Sequence, residues 1–216
     1  MAASPAFASD ELLVRAATPD DFAALGCVLW DAFGPKLGFF LGDDGARGAR
    51  LLADLFSGGA LRPASVRVAA TTAAKEPLGL CLLRLPGAPR AGGSALAATF
   101  AQARREFGFW CGLRAFAGLS LFHEQKSRRR DTAIVALLAV APPARGRGVG
   151  GALLRAAEEE ARRNGVRRLV LDVIESNPAR RLYERHGFHV TKTHRVRAPL
   201  SRMVGFHAYD HMEKGL

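Results

Sequence analysis

Cysteine is scarce in this chain, and its spacing rules out its usual structural uses. The three thiols, Cys27, Cys81 and Cys111, lie far apart, with no CxxC pair and no histidine at metal-ligand spacing. That excludes a disulfide framework and a metal site, and leaves buried or inert thiols in a reducing compartment. Long apolar runs are missing as well. None reaches the roughly 18 residues that a bilayer span requires. The opening residues, MAASPAFASDE, have neither a basic stretch nor an apolar one, so they do not read as a secretory signal. A cytoplasmic protein that does not engage membranes is expected.

Lysine is nearly absent beside arginine: 26 of the 31 basic residues are arginine, against 20 acidic residues, for a formal charge of +11. Such a charge invites a nucleic-acid partner. The arginines are, however, spread over the whole chain. The one dense cluster, KSRRR at 126–130, is not interleaved with the aromatics that a base-stacking surface needs. No nucleic acid is expected; a basic surface would instead favour an anionic cosubstrate. A length of 216 residues with 49% hydrophobic and 24% charged content suits one globular domain, spanning 1–216, with a substantial core.

Along the chain, Leu12 to Ala16 reads as a short strand. A helix then starts at Thr18-Pro19, with Asp20 and Asp21 at its positive end. The stretch GPKLGFFLGDDG (34–45) reads as a glycine-rich loop, and a second helix covers about Ala46 to Phe56. The runs 65–72 and 76–86 make a hairpin. Residues 87–131 read as a helical insertion whose aromatics Phe107, Phe109, Trp110 and Phe116 face a core, an acceptor pocket or a dimer contact.

From Thr132 the pattern sharpens. TAIVALLAV (132–140) is a strand covered on both faces. A glycine loop follows, then a helix of about 15 residues stopping at Asn164-Gly165, a buried strand at 167–175, and a short helix capped by Asn177 and Pro178 and ended by Gly187. The strands 189–197 and 205–213 close the chain. The fold class is mixed α/β.

The loop carries Gly146, Gly148, Gly150 and Gly151 with Arg145 and Arg147. A P-loop is excluded because no Lys-Ser or Lys-Thr follows. A dinucleotide fingerprint matches GxGxxG, with Asp172 about 20 residues on. Against it, Pro142 to Arg145 separate the strand from the first glycine, and too little chain remains for the rest of such a sheet. A pyrophosphate cradle fits better: the helix beginning near Val149 leaves its first N–H groups unpaired and carries positive charge at that end.

The segment VAPPARGRGVGGALL resembles the acetyl-CoA-binding motif of the GNAT acetyltransferase superfamily, with Arg145, Gly148 and Gly150 at its fixed positions. NPARRLYERHGF, further on, resembles the same family's second signature, and DHMEK its last strand. The resemblance is strongest over 132–215. It implies a single domain with a mixed sheet of six to seven strands, flanked by helices and splayed between two central parallel strands. It further implies that Leu138, Ala139 and Val140 offer main-chain hydrogen bonds to the pantetheine arm of acetyl-CoA. Arg145, Gly146, Arg147, Gly148, Val149, Gly150 and Gly151 would hold the pyrophosphate, and Asn177 would reach the pantetheine side.

Tyr183 matches the tyrosine that protonates the departing thiolate, and the Val140 N–H would polarise the thioester carbonyl. The implied activity is acetyl transfer to a primary amine of a small molecule or peptide by direct transfer in a ternary complex, without a covalent enzyme intermediate or a metal. Base candidates are Glu124, Asp131 and Glu175, with His123 behind them. The alternative is a silent regulator of the same fold that binds CoA or an amine, and a homodimer is compatible with either.

Overall fold

The computed structural model describes residues 12–41, 44–57, 66–71, 76–88, 101, 104–105, 108, 129–198, 201 and 205–216. A seven-stranded sheet is formed by β1 (Leu12–Ala16), β2 (Val66–Thr71), β3 (Pro77–Arg84), β4 (Thr132–Val140), β5 (Arg168–Ile174), β6 (His189–Arg195) and β7 (Ala208–Gly215), in the order β1-β2-β3-β4-β5-β7-β6. β4 and β5 run parallel, and every other neighbouring pair is antiparallel. Of the segment read as an insertion, few residues are described; Ala101, Arg104 and Arg105 among them are helical.

β4 is apolar from Ala133 to Val140 because both its faces are covered. Ala133, Val135, Leu138 and Val140 face the cluster under α3 (Val149–Arg163), while Ala136, Leu137 and Ala139 face the cluster under α1 (Phe22–Leu41) and α2 (Gly45–Ser57). The α3 contribution follows helical spacing: Val149, Leu153, Leu154, Ala157 and Ala161 are buried. α3 stops in a Schellman arrangement. Gly165 takes φ +70° and the Val166 N–H donates to the Ala161 carbonyl at 3.0 Å. α4 (Arg180–Arg185) ends the same way at Gly187, with the Phe188 N–H on the Tyr183 carbonyl at 3.0 Å.

Two local expectations are corrected. The stretch from Gly34 is not a loop, because α1 continues through Pro35 to Leu41. A proline inside a helix leaves the carbonyl four residues back without its N–H donor, here that of Asp31. A guanidinium nitrogen of Arg145 donates to that carbonyl at 3.2 Å. The short helix after β5 begins at Arg180 rather than Pro178, and Asn177 caps the turn before it. At the N-terminal end Thr18 does cap, over a 3-10 turn at Pro19–Asp21 that leads into α1. The buried Asp21 carboxylate accepts from the Thr18 N–H at 2.7 Å and takes a two-pronged contact from Arg15 at 2.6 and 2.7 Å.

Candidate functional site

The sheet opens at one place. β4 and β5 pair only over Thr132–Arg168, Ala133–Leu169 and Ile134–Val170, although β4 runs six residues further. The departure coincides with a bulge. On the β3 side Leu83 pairs with Val135 and Leu82 with Leu137, so Ala136 is an extra residue on β4. A bulge bends its strand and increases its twist, which turns β4 away from β5.

What the open edge offers follows from strand alternation. The Ala141 N–H donates to Leu78 at 2.8 Å, which makes Leu78–Ala141 a hydrogen-bonded pair. The adjacent Gly79–Val140 pair is then non-hydrogen-bonded, and Leu80–Ala139 is hydrogen-bonded again. The N–H and C=O of Val140 and Leu138 therefore point into the gap toward β5. Those of Ala139 point to β3. Of the three residues expected to offer main-chain bonds, the structure aims two at the gap and commits Ala139 to the ladder.

At the end of β4 the loop turns into α3. Gly146 (φ +75°) and Gly148 (φ +89°) adopt the left-handed conformation, and a Cβ at either would meet nothing within 4 Å. Gly150 and Gly151 differ. A Cβ on Gly150 would stand 2.9 Å from the Leu182 side chain, and one on Gly151 3.1 Å from that of His186. The four glycines thus divide by cause: the first two shape the loop, and the second two let α4 approach α3.

Among the described residues the amides of Gly146, Gly148, Val149, Gly150 and Gly151 donate to no backbone acceptor, whereas the Arg145 amide is taken by the Pro142 carbonyl at 3.2 Å. Unpaired amides at a helix N-terminus form an anion cradle. The Arg145 side chain is no free phosphate ligand. Its Nε donates to the Val140 carbonyl at 3.0 Å, and the same guanidinium reaches Asp31, so it ties the loop to β4 and α1. Arg147 is half-buried and, with Gly148, lines a groove of about 600 Å³ that continues along α3 past Arg155 to Arg15 and Arg67 on β1 and β2. Arg155 and Arg67 were not legible as site residues. Only packing of α3 across β1 and β2 brings them into one groove with Gly148, and Arg67 is ion-paired there to Glu160 at 3.0 Å.

Tyr183 lies on α4, buried, 6.0 Å from Phe188 between ring centroids. That edge-on pair is the apolar contact that accompanies a Schellman end, so the side chain has a packing role whatever its chemistry. Burial, and secondarily the nearby Cys81, push the phenol pKa well above its usual value, so it stays protonated. Cys81 is fully buried and its thiol is pushed up to about 12 by burial, which keeps it from acting as a thiolate. Cys27 is exposed and free, and Cys111 lies outside the described residues.

Asn177 accepts from the Ala179 N–H at 3.0 Å as a turn cap. Glu175 is exposed at the end of β5, near the gap. Asp131 precedes β4 at the end away from Val140, about 30 Å along the strand at ~3.3 Å per residue. There it engages Arg129, Arg168 and Thr132, and the structure does not bring it to the gap. His123 and Glu124 lie outside the described residues. No cluster that could hold a metal ion occurs among the described residues, and none of their helices is long and apolar enough to cross a membrane.

Residues 89–188 match the model of the acetyltransferase (GNAT) family. Over that stretch, a little under half of its length, the chain is similar to the GNAT acetyltransferases. Solved structures with the same architecture include an acetyltransferase at TM-score 0.58 and 22% identity, with 94% of this chain and 98% of that one covered. Another is yncA from Salmonella typhimurium, solved with its cofactor acetyl-CoA, at TM-score 0.56 and 20% identity over 95% and 94% of the two chains. A third is a mosquito arylalkylamine N-acetyltransferase like 5b, at 0.55 and 18% over 95% and 100%. At these identities the likeness is one of fold. No curated protein matches the chain in sequence.

Proposed function

We propose that this GNAT-like domain transfers an acetyl group from acetyl-CoA to a primary amine of a small molecule or peptide, directly within a ternary complex. One observation carries the reading: the outward N–H and C=O of Leu138 and the outward N–H of Val140 lead to the unpaired amides of Gly146 and Gly148 to Gly151. A ligand with an amide-bearing arm and a diphosphate satisfies both sets at once. Leu138 and Val140 would hold the arm through the main-chain groups they aim at the gap. The loop amides would hold the diphosphate, Arg147 would add charge, and Arg145 would serve by fixing the loop.

Tyr183, kept protonated by burial, would give its proton to the departing sulfur. The buried Cys81 thiol is no nucleophile, which agrees with transfer straight to the amine. The test is release of free CoA thiol from acetyl-CoA with spermidine, tyramine, kanamycin and a short peptide bearing a free N-terminus. Transfer to at least one amine is expected. CoA binding without transfer to any of them would instead mark a regulatory protein of the same fold, and no CoA binding would refute the reading.

A further inference from the structure

The sheet has a second face at the gap, and it carries chemistry that the acetyl-CoA contacts leave unused. Leu169, Leu171 and Val173 of β5 point into the cluster under α3, so Asp172 points to the opposite face, the one α1 and α2 cover further along the sheet. No residue of β5, β6 or β7 belongs to the cluster beneath α1 and α2. On that face Asp172 pairs across the strands with His211 of β7, and its Oδ1 lies 2.7 Å from the imidazole Nδ1.

A carboxylate only accepts, so Nδ1 carries the hydrogen, and in the neutral ring Nε2 keeps the lone pair. The His211 side chain is 36% exposed, on the face of the sheet that Asp172 shares. Counting on from the last paired residues, Ile134 and Val170, Asp172 falls level with Ala136 and Ile174 with Leu138. The pair therefore stands one strand in from the gap, at the depth where β4 bends away.

We propose that His211, oriented by Asp172, accepts the proton that the acceptor amine loses as its nitrogen attacks the thioester carbonyl. This rests on the acetyl-transfer reading and adds the base that it lacks. The N–C bond forms and the C–S bond breaks. The amine proton moves to Nε2 of His211 and from there to solvent, while the sulfur leaves as a thiol with the proton of Tyr183, which solvent restores. Three charged groups face the imidazole: Asp172 from β5, Glu213 from its own strand and Lys192 from β6. The Asp172 hydrogen bond is the largest influence and raises the imidazole pKa, with Glu213 adding to it and burial and Lys192 opposing.

The test measures CoA affinity by calorimetry and the pH–rate profile with the fastest of the four amines above, for the wild-type chain and three variants. His211→Gln is expected to keep CoA affinity, lose about 100-fold in kcat and lose the acidic limb of the profile. Added imidazole is expected to restore rate to His211→Ala. Asp172→Asn is expected to move the limb to lower pH, a shift that loss of packing would not produce, and it serves equally where His211→Gln folds poorly. A profile and rate unchanged in His211→Gln or Asp172→Asn, with CoA still bound, overturn the role of His211 and leave acetyl transfer standing. A wild-type chain that neither binds CoA nor acetylates any amine overturns both.

Discussion

Gly148→Ala separates what the loop needs for folding from what it needs for binding. Gly148 sits at φ +89° with open space where a Cβ would point, so the methyl clashes with nothing and costs only the left-handed backbone. That strain is about 1–2 kcal/mol for a residue with a Cβ. In a domain of this size it corresponds to a fall in Tm of roughly 2–8 °C. Gly165, at the far end of α3, is a matched control: φ is +70° and its Cβ would also meet nothing within 4 Å. Gly165→Ala should lose the same stability.

CoA affinity should divide the two variants. If phosphate oxygens dock on the amides around Gly148, displacing two hydrogen bonds to a charged group costs roughly 3–6 kcal/mol at ~1.5–3 each. That is at least a hundredfold loss at about 1.4 kcal/mol per tenfold. Thermal unfolding gives the first quantity, and calorimetric titration with CoA the second. Equal CoA affinity in the two variants would refute the cradle.

Tyr183→Phe should lower kcat at least tenfold while CoA affinity and Tm stay close to wild type, since the ring keeps its contact with Phe188; steady-state kinetics beside a thermal melt checks this. Arg145→Ala should cost about 1–3 kcal/mol of stability by leaving the Asp31 and Val140 carbonyls without their charged donor. Adding Pro35→Ala should restore part of that, because residue 35 regains an N–H for Asp31; denaturant melts of the single and double variants read the difference. Asp21→Asn should destabilise by roughly 1.5–3 kcal/mol at neutral pH. The Arg15 contact holds the Asp21 carboxyl below its ordinary value, so that stability is present above the ordinary value and lost as pH falls through the depressed one. The Tm gap between Asp21→Asn and wild type should therefore hold from pH 7 to 5 and narrow as pH falls below the ordinary carboxylate value. Gly150→Val should impair packing of α4 on α3, because even its first carbon meets Leu182 at 2.9 Å; a drop in Tm without ligand would show it.

Local chemistry was legible from the chain alone. The Thr18 cap, the Gly165 and Gly187 helix ends, the doubly covered run at 132–140 and the glycine loop before α3 all depend on residues within a few positions of one another. So did the family resemblance, since its two signatures are short contiguous motifs. Pro35 misled because helix continuation through a proline depends on a remote partner for the orphaned carbonyl, and that partner, Arg145, is 114 residues away.

The tertiary structure decided everything that depends on which groups meet across the sheet. The β4 bulge sets where the parallel pairing stops, and alternation then aims Leu138 and Val140, but not Ala139, at the gap. Packing showed that the bare Cα atoms of Gly150 and Gly151 make room for α4, and strand direction put Asp131 at the wrong end of β4. Asp172 and His211 are 39 residues apart and face each other only because β7 inserts between β5 and β6. Short-range preferences are written in neighbouring side chains. Register and strand order are set by burying two apolar faces at once, a condition that no single stretch of sequence contains.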